Sequence, residues 1–415
     1  MTEHRAPHPA ARAGLTRALV AALLVLAGLV APIAGNVPAH AAPAGAGGDV
    51  ASQLRADLDA YLHDRGAAEH ISAAGLSVRL PGHRSTIDVS AGTTTVGGSE
   101  PVRPDAVWQI GSNTKAFTAV LLLQLEAQHR LSIDEPIGKW LPQYSQWHDV
   151  TIRRLLNMTS GIETYDDTPA WYADYAADPH TYFSQERLVG YVLNAPVTSG
   201  YRYSNTNYVL AEMIIERVTG HSYQDELYRR IIEPLGLLDL YYRPDVYPAS
   251  ITDREPAGYF FNKTFPLTEL LGRDVSRDTL SWARSAGAII GTASDMIRWE
   301  RDLYSGRLLP AAQQAELESL VSLETGQPID GTSATDPRGF GLGVAELYDP
   351  KLGRFWFYEG ETLGFRFVHA YFPESGLGIA FSLNSAVEGA NDHVGALMQT
   401  LYATLDAAGL VHPGA

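Results

Sequence analysis

Strand-like segments lie at both ends of this chain and a long helical stretch separates them, an order that few architectures accommodate. Near the start, "GLSVRL" and "TIDVSAG" read as short strands parted by the turn signal Pro81-Gly82. Towards the end come four more strand-like runs, "GFGLGVAEL", "RFWFYEG", "FRFVHAYFP" and "LGIAFSLNS". Between them, from Ser112 to about Leu280, the apolar spacing is mostly helical, as in "FTAVLLLQLEAQ", "TIRRLLNM", "SQERLVGYVLN", "NYVLAEMIIERVTG" and "YQDELYRRIIEPLG". Helices are also expected at "ASDMIRWERDLYSG" and "PAAQQAELESLVSL". Two more, "DVASQLRADLDAYLHDRG" and "VGALMQTLYATLDAAG", open and close the folded part. Strands from both ends can join in one antiparallel sheet flanked by the terminal helices, with the helical block 112–280 inserted as a second lobe. The expected class is thus α/β, and the lobe junction is the natural place for a cleft.

The first 41 residues read as an export signal rather than as part of that fold. Arg5, Arg12 and Arg17 precede an apolar core, and Ala39-His40-Ala41 offers a small-residue cleavage site. The apolar run from Ala18 to Ala31 is 14 residues, short of the ~20 that a membrane helix needs. Residues 42–48 form a small-residue tether, and 49–415 the folded domain. The expected location is therefore secreted, periplasmic or cell-envelope, without stable membrane insertion. The chain has no cysteine, which excludes disulfides, thiol chemistry and lipid attachment through a thiol. A net charge of −16 argues against nucleic acid or an anionic membrane as partner.

Chemistry concentrates in "IGSNTKAF", where Ser112 and Lys115 stand three apart at the opening of an apolar helix and so share a face. Serine is a weak nucleophile until a base takes its proton, and a desolvated lysine can be that base. Arginine cannot, and this chain otherwise prefers arginine: its only lysines are Lys115, Lys139, Lys263 and Lys351. A second element, Tyr203-Ser204-Asn205, precedes an amphipathic helix, where serine and asparagine also serve as simple caps. There is no G-x-S-x-G elbow, H-E-x-x-H, cysteine cluster or P-loop, so no metal or cofactor is expected.

Taken together, S-x-x-K, then Y-x-N, then a glycine-bearing motif on a late strand resemble the penicillin-recognising serine hydrolases, in particular the class C β-lactamase and D-alanyl-D-alanine carboxypeptidase branch. "VWQIGSNTKAFTAVLLLQL", "TIRRLLNMTSGI", "YSNTNYVLAEMIIERVTGHS", "LSWARSAGAIIGTASDM" and "GFGLGV" carry the resemblance along most of the chain. It implies a β-lactamase/transpeptidase-like fold, with Ser112 as the acylated nucleophile and Lys115 as proton acceptor. Tyr203 would be a second acid/base and Asn205 a holder of the substrate amide. Which of Lys115 and Tyr203 takes the serine proton stays open, and both would need depressed pKa values.

The third motif departs from the family pattern. Where a Lys-Thr-Gly or His-x-Gly is expected, the chain has Tyr358-Glu359-Gly360, followed by Glu361. Gly360 would admit substrate, and the N–H groups of Ser112 and Glu361 would form an oxyanion hole. Carboxypeptidases of the branch resemble one another in an arginine after the "GLGL"-like strand; here Ala345 and Glu346 fill that region. With Glu359 and Glu361 taken to line the cleft, a substrate carboxylate would meet an acidic rim, with Arg366 as a conceivable counter-charge. The resemblance then implies small peptide, amide or ester substrates, with β-lactams as further reactants, and amide bonds next to D-residues as the leading target. An esterase, a β-lactamase and a catalytically weak envelope binding protein stay open as alternatives. His369 reads as a packed strand residue. Trp171, Tyr172, Tyr175 and Tyr182 are expected in a long loop that either roofs the cleft or only packs.

Overall fold

The computed structural model describes residues 50–245 and 247–411. The expected export signal and tether lie outside them. Helix α1 (Val50–Glu69) leads into strands β1 (Ala73–Arg79) and β2 (Ile87–Gly92). The second lobe follows, with α2 (Thr114–Ala127), α3 (Pro169–Ala177), α4 (Asn205–Thr219) and the short α5 (Arg284–Gly287) among several lesser helices. Helix α6 (Ala293–Tyr304) brings the chain back to the sheet. Strands β3 (Leu320–Ser322), β4 (Pro328–Ile329), β5 (Arg338–Phe340), β6 (Ala345–Asp349), β7 (Gly353–Glu361), β8 (Arg366–Phe372) and β9 (Leu377–Leu383) complete it, and α7 (Val394–Ala407) closes the fold.

The nine strands form one antiparallel sheet in the order β2-β1-β9-β8-β7-β6-β5-β3-β4. Two apolar layers cover it. Leu54 and Leu58 of α1 and Leu397, Met398 and Leu401 of α7 pack with Phe355, Phe357 and Val368 on one face. The other face, with Trp356, Tyr358 and Phe367, joins the core of the helical lobe. Because both faces are covered, β1, β8 and β9 are buried at every position, which is why they read as continuous rather than alternating apolar runs. Helix α2 is buried almost all round and forms the axis of the lobe.

Three local expectations change. "PAAQQAELESLVSL" is helical only over Ala311–Leu317; Leu320–Ser322 turns into β3 because it pairs with β5, a partner remote in sequence. "GFGLGVAEL" is two strands, not one. The lobe also contains a small antiparallel sheet, with Ile289–Gly291 between Trp108–Gln109 and Leu240–Tyr242.

Arg366 is the electrostatic tie between the sheet and the terminal helices. It is fully buried, donates to Glu69 Oε2 at 2.9 Å and Asp392 Oδ1 at 2.7 Å, and also reaches the Ser385 carbonyl oxygen at 2.9 Å. Glu69 ends α1 and Asp392 precedes α7. Removing the cation would leave these carboxylates beside Glu359 and Glu361 in a site with little water. Arg366→Met is therefore expected to cost about 3–5 kcal/mol of folding stability, measured as a lowered urea midpoint at unchanged slope.

Candidate active site

The turn Gly111–Asn113 runs directly into α2, so Ser112 and Lys115 project from one side of the helix start. Ser112 is 8% exposed, whereas Lys115 is fully buried. The lysine Nζ lies 2.9 Å from Ser112 Oγ, 2.7 Å from Asn205 Oδ1 and 2.8 Å from the Ala286 carbonyl oxygen. Burial pushes its pKa well below the ordinary lysine range, against a smaller opposing pull from Asp166. The neutral amine is thereby favoured. It has two N–H bonds and one lone pair, and two of its three neighbours are carbonyl oxygens that can only accept. They take both hydrogens, and the lone pair is left facing the serine hydroxyl.

Each of those acceptors is held in place. Ala286 belongs to α5, which is pinned to α4 by a buried ion pair: Arg284 donates to Glu212 at 2.5 Å, and Glu212 also accepts the Ser285 N–H at 3.2 Å. Asn205 opens α4, and its side chain is turned inward rather than capping the helix. Its Oδ1 faces Lys115 while its Nδ2 donates to Asp166 Oδ2 at 2.7 Å. Ser204 makes no side-chain cap either, so the simple capping reading of Tyr203-Ser204-Asn205 is set aside.

Tyr203 donates its hydroxyl to Ser112 Oγ at 2.6 Å, and the Tyr358 hydroxyl lies 3.4 Å from that of Tyr203. Burial raises the Tyr203 pKa, only partly offset by its hydrogen bonds to Ser112 and Tyr358. The expectation that both Lys115 and Tyr203 are depressed therefore fails for the tyrosine. Desolvation penalises the charged form of each group, which lowers an amine and raises a phenol. A neutral Tyr358 now stands where the family pattern has a cation that could have stabilised phenolate.

Strand β7 closes the site through backbone contact. Gly111 has φ +52°, and a Cβ on it would lie 2.7 Å from both the N and O of Glu361. A Cβ on Gly360 would lie 2.0 Å from the Ile110 carbonyl oxygen and 2.8 Å from Ser112 N. The two glycines let the strand end and the nucleophile turn meet main chain to main chain. Asn113 adds a lock, donating to the carbonyl oxygens of Ile110 at 2.7 Å and Phe367 at 3.0 Å. Its Oδ1 faces His369 Nδ1 at 2.6 Å, and burial holds His369 neutral, with its pKa pushed down to about 3. His369 is a packed strand residue, as expected.

The acidic rim does not exist as expected. Strand alternation points Tyr358 and Gly360 at Ser112 and sends Glu359 and Glu361 to the opposite face, where they meet Asp392 and Arg366. Glu359 is buried, not exposed to the cleft, and burial beside Asp392 pushes its pKa well up. Glu361 is pushed up to about 8 by burial and by Asp392. Arg366, spent on Glu69 and Asp392, is no counter-charge for substrate. Glu346 is likewise occupied, accepting the N–H and hydroxyl of Thr332, each at 2.8 Å. Trp171, Tyr172 and Tyr175 lie on helix α3, not in a loop, and are core residues; Tyr182 is half exposed and accepts from Arg284 at 3.0 Å.

The sequence reading missed Asp166, Asn113 and the Ala286 carbonyl. The signals were the acidic pair in "ETYDD", the residue beside the serine, and the block "RSAGAII".

Comparison with known proteins bears on the fold and the family. Penicillin-binding protein 4* of Bacillus subtilis (strain 168) is 28% identical over 276 residues, covering 64% of this chain and 58% of that protein. The chain thus spans under two thirds of that curated relative's length. The crystal structure of a D-stereospecific amidohydrolase from Streptomyces sp. superposes with a TM-score of 0.70 at 27% identity, covering 85% of this chain and 97% of that one. D-amino acid amidase from Ochrobactrum anthropi SV3, complexed with L-phenylalanine amide, shares the fold: TM-score 0.73, 22% identity, 87% and 100% covered. The family described as Beta-lactamase matches residues 58–402, from α1 to α7 and through every residue of the site. By that match, the chain belongs to the Beta-lactamase family.

Proposed function

We infer that this protein is a serine hydrolase that forms an acyl-enzyme at Ser112 and cleaves amide bonds of small D-residue-containing substrates. The observation that carries the reading is the hydrogen-bonded line from Tyr203 through Ser112 to a buried Lys115. The Ser112 proton passes to the Lys115 lone pair as Oγ bonds to the substrate carbonyl carbon. The backbone N–H groups of Ser112 and Glu361 are assigned to the developing oxyanion. Tyr203 protonates the departing amine nitrogen and recovers its proton from Lys115; water then releases the acyl group. The D-amide preference is supported by the likeness to the Streptomyces amidohydrolase. Export through the N-terminal segment belongs to the same proposal and rests on its sequence.

Among the open alternatives, the amidase or aminopeptidase type is favoured over a carboxypeptidase, because Arg366 is buried in ion pairs and Tyr358 is neutral. One observation favours the second reading. Arg338 lies near enough to Tyr201 to pull against that phenol's raised pKa, and Phe340, on the same strand, packs edge-on against both Tyr201 and Tyr358. That makes Arg338 the candidate partner for a substrate carboxylate in the carboxypeptidase reading.

Mass spectrometry after a fluorophosphonate or a penicillin is expected to show an adduct on the Ser112 peptide, absent in Ser112→Ala. Rates on D-amino acid amides, D-Ala-D-Ala peptides, p-nitrophenyl esters and cephalosporins then rank the substrate classes. The amides are expected to lead. A clear lead for D-Ala-D-Ala peptides, lost in Arg338→Ala, selects the carboxypeptidase reading, and no adduct with any reagent sinks the enzyme.

A further inference from the structure

We propose that Asp166 is a positioning residue for the reaction: its carboxylate sets the orientation of the Asn205 amide and through it the direction of the Lys115 lone pair. The proposal rests on the acyl-enzyme reading of Ser112.

An amide side chain can present either its oxygen or its nitrogen to Lys115, and only the oxygen would leave the amine lone pair for Ser112. Asp166 decides between them. When ionised it can only accept, so the amide group 2.7 Å from its Oδ2 must be the Nδ2 donor, and Oδ1 must face Lys115. Asp166 is 5% exposed, and its orientation is itself held. The Thr164 hydroxyl donates to Oδ1, while Thr164 Oγ1 accepts the Asn205 backbone N–H at 3.0 Å. The same residue thus ties the loop to the first turn of α4. No contact joins Asp166 to Ser112 directly; it acts through Asn205.

Its charge has a second consequence. Burial pushes the Asp166 carboxyl up, against the hydrogen bonds from Thr164 and Asn205 and the pull of Lys115. Where it is ionised, this buried anion stabilises the ammonium form of Lys115 and opposes the downward push of burial. The other groups around the pair are constrained. Burial pushes the phenols Tyr203, Tyr208, Tyr165 and Tyr172 up, which keeps them neutral. Asp167 is pushed up to about 7, by burial and then by Asp166 and Glu163, with Arg202 pulling the other way. Asp167 is therefore a neighbour that could imitate the effect in the working pH range, and it supplies the control.

The experiment is the pH profile of kcat/KM, and of Ser112 labelling by a fluorophosphonate, for the full chain and three variants. Asp166→Asn keeps the shape and an acceptor but removes the charge, so the acidic limb is expected to move to lower pH. Asp166→Ala removes the acceptor as well, and kcat is expected to fall about 10- to 100-fold with KM little changed. Asp167→Asn is expected to leave the acidic limb set by Lys115 in place. An acidic limb that does not move in Asp166→Asn, or that moves as much in Asp167→Asn, overturns the proposal. If the Asp166 variants do not fold, Thr164→Val decides: loss of the hydroxyl that orients Asp166 is expected to lower kcat several-fold, and an unchanged kcat overturns the role. Absence of labelling in the wild-type protein is a different result, since it removes the acyl-enzyme reading itself.

Discussion

Lys115→Arg is expected to lower kcat/KM by roughly 10²- to 10⁴-fold while the protein keeps its substrate panel order in whatever activity remains. The arginine keeps hydrogen-bond donors at the position, but it stays charged where Lys115 is held neutral and cannot release a proton at any working pH. The loss combines removal of the base with the cost of a larger, permanently charged group at a fully buried position. Lys115→Met is the complementary test, because it keeps the length and apolar stem and removes the amine. Its cost includes two carbonyl oxygens, of Asn205 and Ala286, left without their donor. In the wild-type protein the rate should rise with pH as Lys115 loses its proton. Since burial places that loss well below the usual lysine value, the rise should be complete well short of pH ~10.4.

The same shift makes a stability statement whose sign can be checked. Between the lowered folded-state pKa and the unfolded value of ~10.4, the unfolded chain binds a proton at Lys115 that the folded chain does not. Wild-type stability therefore gains a contribution as pH rises through that window. Lys115→Met lacks it. The melting temperature of the variant minus that of wild type should thus be most favourable to the variant at low pH and shrink as pH rises. A difference that is flat with pH would mean that Lys115 is not held neutral in the folded protein.

How much of this was legible in the sequence depends on the range of the interaction involved. Ser112 and Lys115 could be paired from spacing alone, because three residues along a helix is a local relation. The strand runs at the two ends pointed to one sheet, since long apolar runs need cover on both faces. Leu320–Ser322 reads as helix in the sequence because its strand character comes from pairing with β4 and β5, which local spacing does not show. The period-2 rule puts Tyr358 and Gly360 on one face of β7 and Glu359 and Glu361 on the other. It could not say which pair met Ser112, because that depends on where β7 docks against the turn at Gly111. Asp166 was the hardest to see. A carboxylate in a connecting segment is usually solvated, and nothing in "ETYDD" marks one as turned inward to an asparagine that lies 39 residues later. Trp171 and Tyr175 stand four apart, the spacing of one helix face, and α3 places both in the core.

The docking of β7 gives the other large expected effect. Gly360→Ala would place a methyl carbon 2.0 Å from the Ile110 carbonyl oxygen, 2.6 Å from Asn113 Nδ2 and 2.8 Å from Ser112 N. None of these can swing aside. Ile110 and Ser112 offer backbone atoms, and Asn113 is held by the carbonyls of Ile110 and Phe367 and by His369. The strand end must therefore retreat from the nucleophile turn, and it carries the Glu361 N–H with it. Loss of one oxyanion donor typically costs about 10²- to 10³-fold in kcat, and overpacking of a rigid contact about 1–3 kcal/mol in stability. Both losses are expected together, read as kcat/KM on the best substrate and as the urea midpoint. The rate of fluorophosphonate labelling should fall with kcat/KM, since the tetrahedral adduct needs the same donors, while the pH at which Lys115 titrates should stay in place. A Gly360→Ala protein that keeps its rate within a few-fold would show that β7 does not supply the oxyanion donor, and the assignment would have to pass to another N–H near Ser112.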